Sequence, residues 1–131
     1  MSRYLFMAAY TGESWATQLR TQQDARERVG GLIEACGGTL NDLYYAFGES
    51  DICGLADFPD EESAAAFSLA ASAGGALRSI QTTKLLTVEQ GMDAMRKAAD
   101  ASTSYTPPTG AGVPRQTAGS GRPAGATPGP R

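Results

Sequence analysis

Two carboxylates near the middle of the chain are its first candidates for chemistry. Glu49 and Asp51 stand two residues apart in the segment YYAFGESDICGLADF, where glycine and small polar residues predict a hairpin turn. Carboxylates held close together raise the pKa of one of them, which suits that group to act as a general base or to bind a cation. The alternative is turn chemistry, in which Asp51 hydrogen-bonds its own backbone and Glu49 stays in water. We expect the acidic turn to be mainly structural.

The absence of histidine excludes several kinds of site. The chain of 131 residues contains no histidine, so a Ser–His or Cys–His couple, a His-ligated haem and most zinc or iron centres are ruled out. Its cysteines, Cys36 and Cys53, form no Cys-x-x-Cys pair. The sequence neighbours of Cys53 include no cation that would stabilise a thiolate, so we expect it to be a packing residue. We predict no metal site and no cofactor.

Aromatic side chains form a second group of candidates. They occur in the predicted first strand, first helix and second strand, where they would line a cavity between that helix and the sheet. Ligand pockets are typically apolar with few polar groups, and tyrosine hydroxyls would supply those groups. Packing in the core or between subunits is the competing interpretation, because aromatic residues dominate buried area. The candidate ligand-binding residues are Tyr4, Tyr10, Trp15, Tyr45 and Phe47.

Two basic residues of the predicted last strand are a third candidate. Arg78 and Lys84 are an even number of positions apart, so a regular strand would place them on one face, where they could hold an anionic ligand. Surface ion pairing is the interpretation we favour, with Asp57 as the expected partner of one of them.

The distribution of charge and apolar residues limits the partners of the folded part. Residues 1–100 contain 8 Lys and Arg against all 14 Asp and Glu, a net charge of −6, which repels nucleic-acid phosphates. The apolar run from Tyr4 to Tyr10 is too short for a signal sequence or a membrane span. We therefore predict a cytoplasmic protein that binds neither nucleic acid nor membrane.

The composition changes sharply at residue 101. Residues 101–131 hold six of the seven prolines, three arginines and no acid. Such a segment cannot bury enough apolar area to offset its chain entropy, so we predict a folded domain over 1–100 and a disordered tail over 101–131. The tail arginines, Arg115, Arg122 and Arg131, are candidates for contacts with a protein partner.

The order of the predicted elements indicates the fold class. Apolar runs rich in aromatic residues predict strands, and spacings of i, i+4 and i+7 predict helices. In the second strand, alternation places Leu43 and Tyr45 on the face opposite to Leu40 and Asp42. The strands are expected at 3–10, 39–48, 51–58 and 76–87, and the helical segments at 11–36 (with a break near Thr21), 61–73 and 88–99. This βαββαβ order followed by a helix predicts a ferredoxin-like α+β domain.

The first strand is apolar on both of its faces. Tyr4 and Phe6 alternate with Leu5 and Met7, whereas a strand with one face in water normally alternates with polar residues. A large apolar sheet face is rarely left in solvent. We predict that a second copy covers it in a two-fold homodimer of the α+β-barrel kind.

Three segments together resemble a known family. RYLFMAAYTGESW, GGTLNDLYYAFGESDICGLADFPDEESAAAFSLAASAGG and IQTTKLLTVEQGMDAM are similar to the GYD-domain family, a small bacterial family, over about residues 2–97. The resemblance implies a ferredoxin-like fold and a dimeric α+β barrel, and it implies no established reaction. Gly48 and Asp51 match the Gly-Tyr-Asp signature of the family, but Ser50 stands where its tyrosine is expected. Asp51 is therefore the better functional candidate of the two carboxylates.

Three functions are compatible with these features. The one we favour is a non-enzymatic dimeric module that binds a small apolar or aromatic molecule or a protein partner. The second is a cofactor-free oxygenase or isomerase that acts on an aromatic or quinol-like substrate with Asp51 or Glu49 as base, which is an analogy from the fold. The third is an assembly role in which the tail binds a partner.

Overall fold

Four antiparallel strands and three helices build the first part of the chain. The computed structural model describes residues 1–108, and it divides into two compact units, Met1–Thr87 and one that begins at Val88. The strand order in the sheet is β2-β3-β1-β4, so the domain has the predicted ferredoxin-like α+β fold. The elements of the first unit are β1 (Ser2–Tyr10), α1 (Gly12–Thr21), α2 (Ala25–Ala35), β2 (Thr39–Tyr45), β3 (Ile52–Phe58), α3 (Glu61–Ala73) and β4 (Leu77–Lys84).

Side-chain caps set the starts of the helices. The hydroxyl of Thr11 accepts from the N–H of Ser14 at 3.1 Å at the start of α1. The helical segment breaks after Thr21, as predicted, because Gln22 adopts a left-handed conformation (φ 49°). Asp24 then caps α2, and Asp60 accepts from the N–H of Ser63 at 2.8 Å at the start of α3. α1 and α2 are therefore separate helices.

One face of the sheet forms the core. Alternate residues of β1 and β3 point toward the helices and are buried, and Ile33 and Phe58 are fully enclosed. Gly54 is required for this packing, because a Cβ at that position would lie 2.5 Å from Cζ of Phe6 and 2.7 Å from the carbonyl oxygen of Asp42. The main cluster consists of Tyr4, Phe6, Ile33, Ala56, Phe58, Ala64 and Phe67.

A bulge in β2 changes which of its residues face the core. The register with β3 shifts between Leu40, which opposes Ala56, and Asp42, which opposes Leu55. A bulge puts one extra residue in a strand, so the alternation of faces is interrupted there. Leu40 and Leu43 consequently both pack against the core, contrary to the alternation predicted from the sequence.

The ion pairs also differ from the prediction. Asp57 binds Arg3, whose Nε and Nη2 donate to its two oxygens at 3.0 and 3.3 Å, whereas Lys84 lies 3.3 Å from Glu61. The predicted pairing of Asp57 with Arg78 or Lys84 is therefore wrong, because β1 lies between β3 and β4. A register shift at Ala9–Tyr10, opposite Arg78, also breaks the even spacing on which a shared Arg78–Lys84 site depended.

The second unit begins with α4 (Val88–Ala101), followed by a short 3-10 turn at Ser102–Ser104. Val88, Met92 and Met95 are exposed on α4 at the spacing expected of one helix face. Helix α4 and this turn run past residue 100, where the tail was predicted to begin. The rest of the predicted tail, 109–131, lies outside the described residues.

Candidate functional site

Asp51 connects three elements at one corner of the domain. Its backbone N–H donates to the carbonyl of Ala8 and its carbonyl accepts from the N–H of Ala46, both at 2.8 Å. Its Oδ2 accepts from the backbone N–H of Tyr10 at 2.8 Å and from Nε1 of Trp15 at 3.3 Å. The half-buried Asp51 side chain therefore holds the end of β1 and helix α1 against the β2–β3 hairpin.

The pairing of β1 explains why a carboxylate is needed there. The ladder between β1 and β3 ends where Ala8 opposes Ile52, so the N–H of Tyr10 has no partner on β3. Tyr10 is 6% exposed, and an unpaired buried N–H is costly. Asp51 supplies the acceptor across the hairpin, so its carboxylate does not turn back on its own backbone as the turn interpretation proposed.

The two candidate carboxylates are not joined by a hydrogen bond. Glu49 is exposed, and among the described residues it makes no hydrogen bond or ion pair. The geometry therefore separates the two residues of the predicted pair: Asp51 is half-buried and bonded, and Glu49 faces solvent.

Four of the five candidate aromatic residues lie around Asp51. The rings of Tyr10 and Trp15 meet edge to face with centroids 5.2 Å apart, and Trp15 and Tyr45 are 6.3 Å apart. Phe47, at the hairpin tip, is fully exposed. A surface cleft of about 530 Å³ is lined by Trp15, Tyr45, Ala46, Phe47, Gly48 and Asp51.

Tyr4 lies elsewhere, in the core. Its ring packs edge to face on Phe58 at 5.6 Å, in the cluster that includes Phe6 and Ile33. The Tyr4 hydroxyl is buried and has no hydrogen-bond partner in the described structure. Its position is that of a packing residue, away from the cleft around Trp15.

The structure contains a second cavity that was not predicted from the sequence. It has a volume of about 240 Å³ and lies between helices α2 and α3 above β1 and β4. Its walls include Phe6, Leu32 and Ile80 and the small residues Ala70 and Ala71 of α3. No pattern in the sequence indicated it, because it depends on how far apart the two helices lie on the sheet.

Arg28 provides the cationic group of this cavity. Its Nη2 donates to the hydroxyl of Tyr10 at 3.1 Å and to Oε1 of Gln18 at 3.3 Å. Burial raises the pKa of the Tyr10 phenol, and the hydrogen bond from Arg28 opposes that rise. Arg28 ends the polar stretch RTQQDARER, and no pattern in the sequence distinguishes it from the other arginines of that stretch.

Metal and membrane features are absent from the part of the chain that is described. Over residues 1–108, no group of three or more Cys, Asp or Glu side chains is placed to hold a metal ion. Cys36 and Cys53 are free and half-buried. Within the same range, every helix is too short or too polar to cross a bilayer.

Comparison with known proteins identifies a family and gives solved structures of limited similarity. The 30S ribosomal protein S6 of Thermotoga maritima, known from a crystal structure, is similar with 16% identity and a TM-score of 0.46, covering 77% of this chain and 97% of that one. No curated protein matches the chain significantly. The model of the GYD domain matches residues 4–95, and this chain therefore belongs to the GYD-domain family.

Proposed function

We propose that this protein is a non-enzymatic, homodimeric module that binds a small apolar or aromatic molecule. The observation that supports a binding function is the hydrogen bonding of the Asp51 carboxylate. Its Oδ2 already accepts two N–H groups, one from a buried backbone position and one from Trp15. These two bonds give Asp51 a positioning role, because they hold the end of β1 and Trp15 beside the aromatic cleft.

The open face of the sheet supports the dimer. Leu5 and Met7 of β1 and Cys53 and Leu55 of β3 share this face and are half-exposed. Polar residues flank them on the side of β4, where the neighbouring positions are Ser79, Gln81 and Thr83. An apolar centre with a polar rim is the usual anatomy of an interface.

The rim charges favour a second copy as the partner. Arg3 and Asp57 oppose each other at one end of the open face. The hydrogen bond with Asp57 raises the pKa of Arg3, and the charge of Asp42 adds a smaller rise. A two-fold interface places each patch against itself, so the patch must contain both signs to be self-complementary. This rim does so.

Native mass spectrometry of the purified protein tests both parts of the proposal. We expect a dimer, and a bound small mass that disappears on denaturation. Leu55→Glu places a charge in the centre of the open face and should give a monomer, whereas Leu69→Glu, at a position of α3 that is 71% exposed, should leave the dimer intact. A monomeric wild-type protein would reject the dimer, and a wild-type protein to which no apolar or aromatic probe binds would reject the ligand.

One observation supports an enzymatic alternative, a cofactor-free oxygenase or isomerase. Asp51 lines the aromatic cleft, and its Oδ1 has no hydrogen-bond partner among the described residues, so that oxygen is available to a substrate. Asp51→Asn keeps an acceptor for Tyr10 and Trp15 but removes the base. Turnover of an aromatic or quinol substrate by wild-type protein that is abolished in Asp51→Asn would establish the alternative.

A further inference from the structure

We propose that the cavity between α2 and α3 is a binding site for a small amphiphilic anion, with an apolar body in the cavity and a carboxylate on Arg28. The inference rests on the proposed function, because it names a second site and a chemical class for the molecule bound. Of the residues that line this cavity, Tyr10 was a candidate from the sequence, whereas Arg28 was not.

The cavity is apolar except at one end. Phe6, Phe67 and Leu77 are among its walls, and its polar groups are the Tyr10 hydroxyl and the Arg28 guanidinium. No carboxylate of the described residues lines it. An apolar space of this kind with a few convergent polar groups is the usual form of a small-molecule site.

The polar end opens onto a second, polar cleft. That cleft has a volume of about 340 Å³, and it shares Tyr10, Arg28, Gly74 and Ala76 with the apolar cavity. The hydroxyl and amide side chains of α1 line its other wall, as Ser14, Thr17, Gln18 and Thr21. The apolar cavity and the polar cleft meet at Arg28. This arrangement fits a ligand with an apolar body and a polar head group.

Arg28 is free to bind that head. Within residues 1–108 it makes no ion pair with a carboxylate, unlike Arg3, Arg26 and Arg96. Only its Nη2 is engaged, with Tyr10 and Gln18, and a guanidinium has five N–H donors in a fork that matches a carboxylate. Among the described residues, Glu13 is the acidic side chain that lines the polar cleft, and it does not line the apolar cavity.

The size of the cavity limits the ligand. About 240 Å³ is below the usual range of about 300–1,000 Å³ for drug-sized ligands. At about 30 Å³ for each water-sized group it holds about eight such groups, which corresponds to a medium-chain fatty acid such as octanoate. The space exists because α3 faces α2 with Ala70, Ala71 and Gly74, which have almost no side chain to fill it.

Isothermal titration with octanoate and 1-octanol, with amide chemical shifts to locate the site, tests the inference. Octanoate is expected to shift residues around the cavity and to bind more tightly than octanol. Arg28→Gln should weaken octanoate binding about two- to fivefold, because Arg28 is exposed and solvent screens an exposed ion pair, and it should leave octanol binding unchanged. The matched control Arg20→Gln, on α1, should change neither affinity. Ala71→Phe should fill the cavity and abolish binding of both probes.

Three results would overturn the inference. One is octanoate binding that is insensitive to Arg28→Gln. This test does not depend on whether the cavity variant Ala71→Phe folds. Another is a set of shifts confined to the cleft at Trp15 and Phe47, which would leave the proposed binding function standing while removing this site. The third is no binding of either probe to wild-type protein, which would make the cavity a packing gap. Native mass spectrometry would still test the proposed dimer independently.

Discussion

Replacement of Asp51 by alanine should destabilise the domain strongly. The change removes the acceptor of two hydrogen bonds, from the N–H of Tyr10 at 2.8 Å and from Nε1 of Trp15 at 3.3 Å. Hydrogen bonds to charged groups contribute about 1.5–3 kcal/mol each. Asp51 is only half-buried and the Trp15 bond is long, so we expect a loss of about 2–4 kcal/mol in the free energy of unfolding. That is a large fraction of the roughly 5–15 kcal/mol of a typical domain.

Urea unfolding followed by circular dichroism, with the slope checked for constancy, measures this loss. Asp51→Asn keeps a neutral oxygen acceptor and should lose about 1 kcal/mol. Glu49→Ala, two residues away and exposed, is the matched control and should stay within about 0.5 kcal/mol of wild type. The reasoning is refuted if Asp51→Ala behaves like Glu49→Ala, because the carboxylate would then hold nothing in place.

Three further changes test the core and the ion pairs. Tyr4→Phe removes a buried hydroxyl that has no partner in the described structure, so the free energy of unfolding should stay equal or rise, and a loss above about 1 kcal/mol would reveal an unseen partner. Gly54→Ala places a Cβ 2.5 Å from the Phe6 ring and should lower the unfolding midpoint by more than Gly48→Ala, which meets nothing within 4 Å. The hydrogen bond from Arg3 lowers the pKa of Asp57; the folded pKa lies below the unfolded one, so this small stabilisation is complete above about pH 4 and disappears as the pH falls further. Asp57→Asn should therefore cost stability at pH 7 and progressively less as the pH falls below about 4, and a cost that does not change with pH would show that the pair acts through packing.

Local patterns in the sequence predicted the elements but not their exact alignment. The spacing of apolar residues predicted the helices, and the apolar run from residue 3 predicted β1, because such periodicity acts within a few residues. The bulge near Leu40 was not predictable in this way, since it depends on how β2 pairs with β3. The partner of Asp57 was mispredicted for the same reason: strand order places Arg3 on the neighbouring strand.

The candidate site shows the same limit. The sequence singled out Asp51 and the aromatic residues by their chemical type, and the fold brings Tyr10, Trp15 and Tyr45 together around Asp51. Tyr4 was grouped with them as an aromatic residue expected to line the same cavity, but it packs on Phe58 in the core. Arg28 was overlooked because a lone arginine in a polar helix has no distinguishing pattern, and its role arises from the position of α2 relative to β1.

Tyr10 physically connects the two candidate sites. Its backbone N–H binds Asp51, its ring contacts Trp15 at the cleft, and its hydroxyl accepts from Arg28 at the mouth of the apolar cavity. A phenol has a pKa of about 10 and burial raises that of Tyr10 further, so the hydroxyl is protonated at neutral pH and has a proton to donate beside the Arg28 fork. A carboxylate bound there would meet both the guanidinium and the phenol, while the cleft on the other side of the ring has no cation among the residues that line it. The charge of a ligand should therefore decide which side of Tyr10 it occupies, with anions at α2 and neutral aromatic molecules at Trp15.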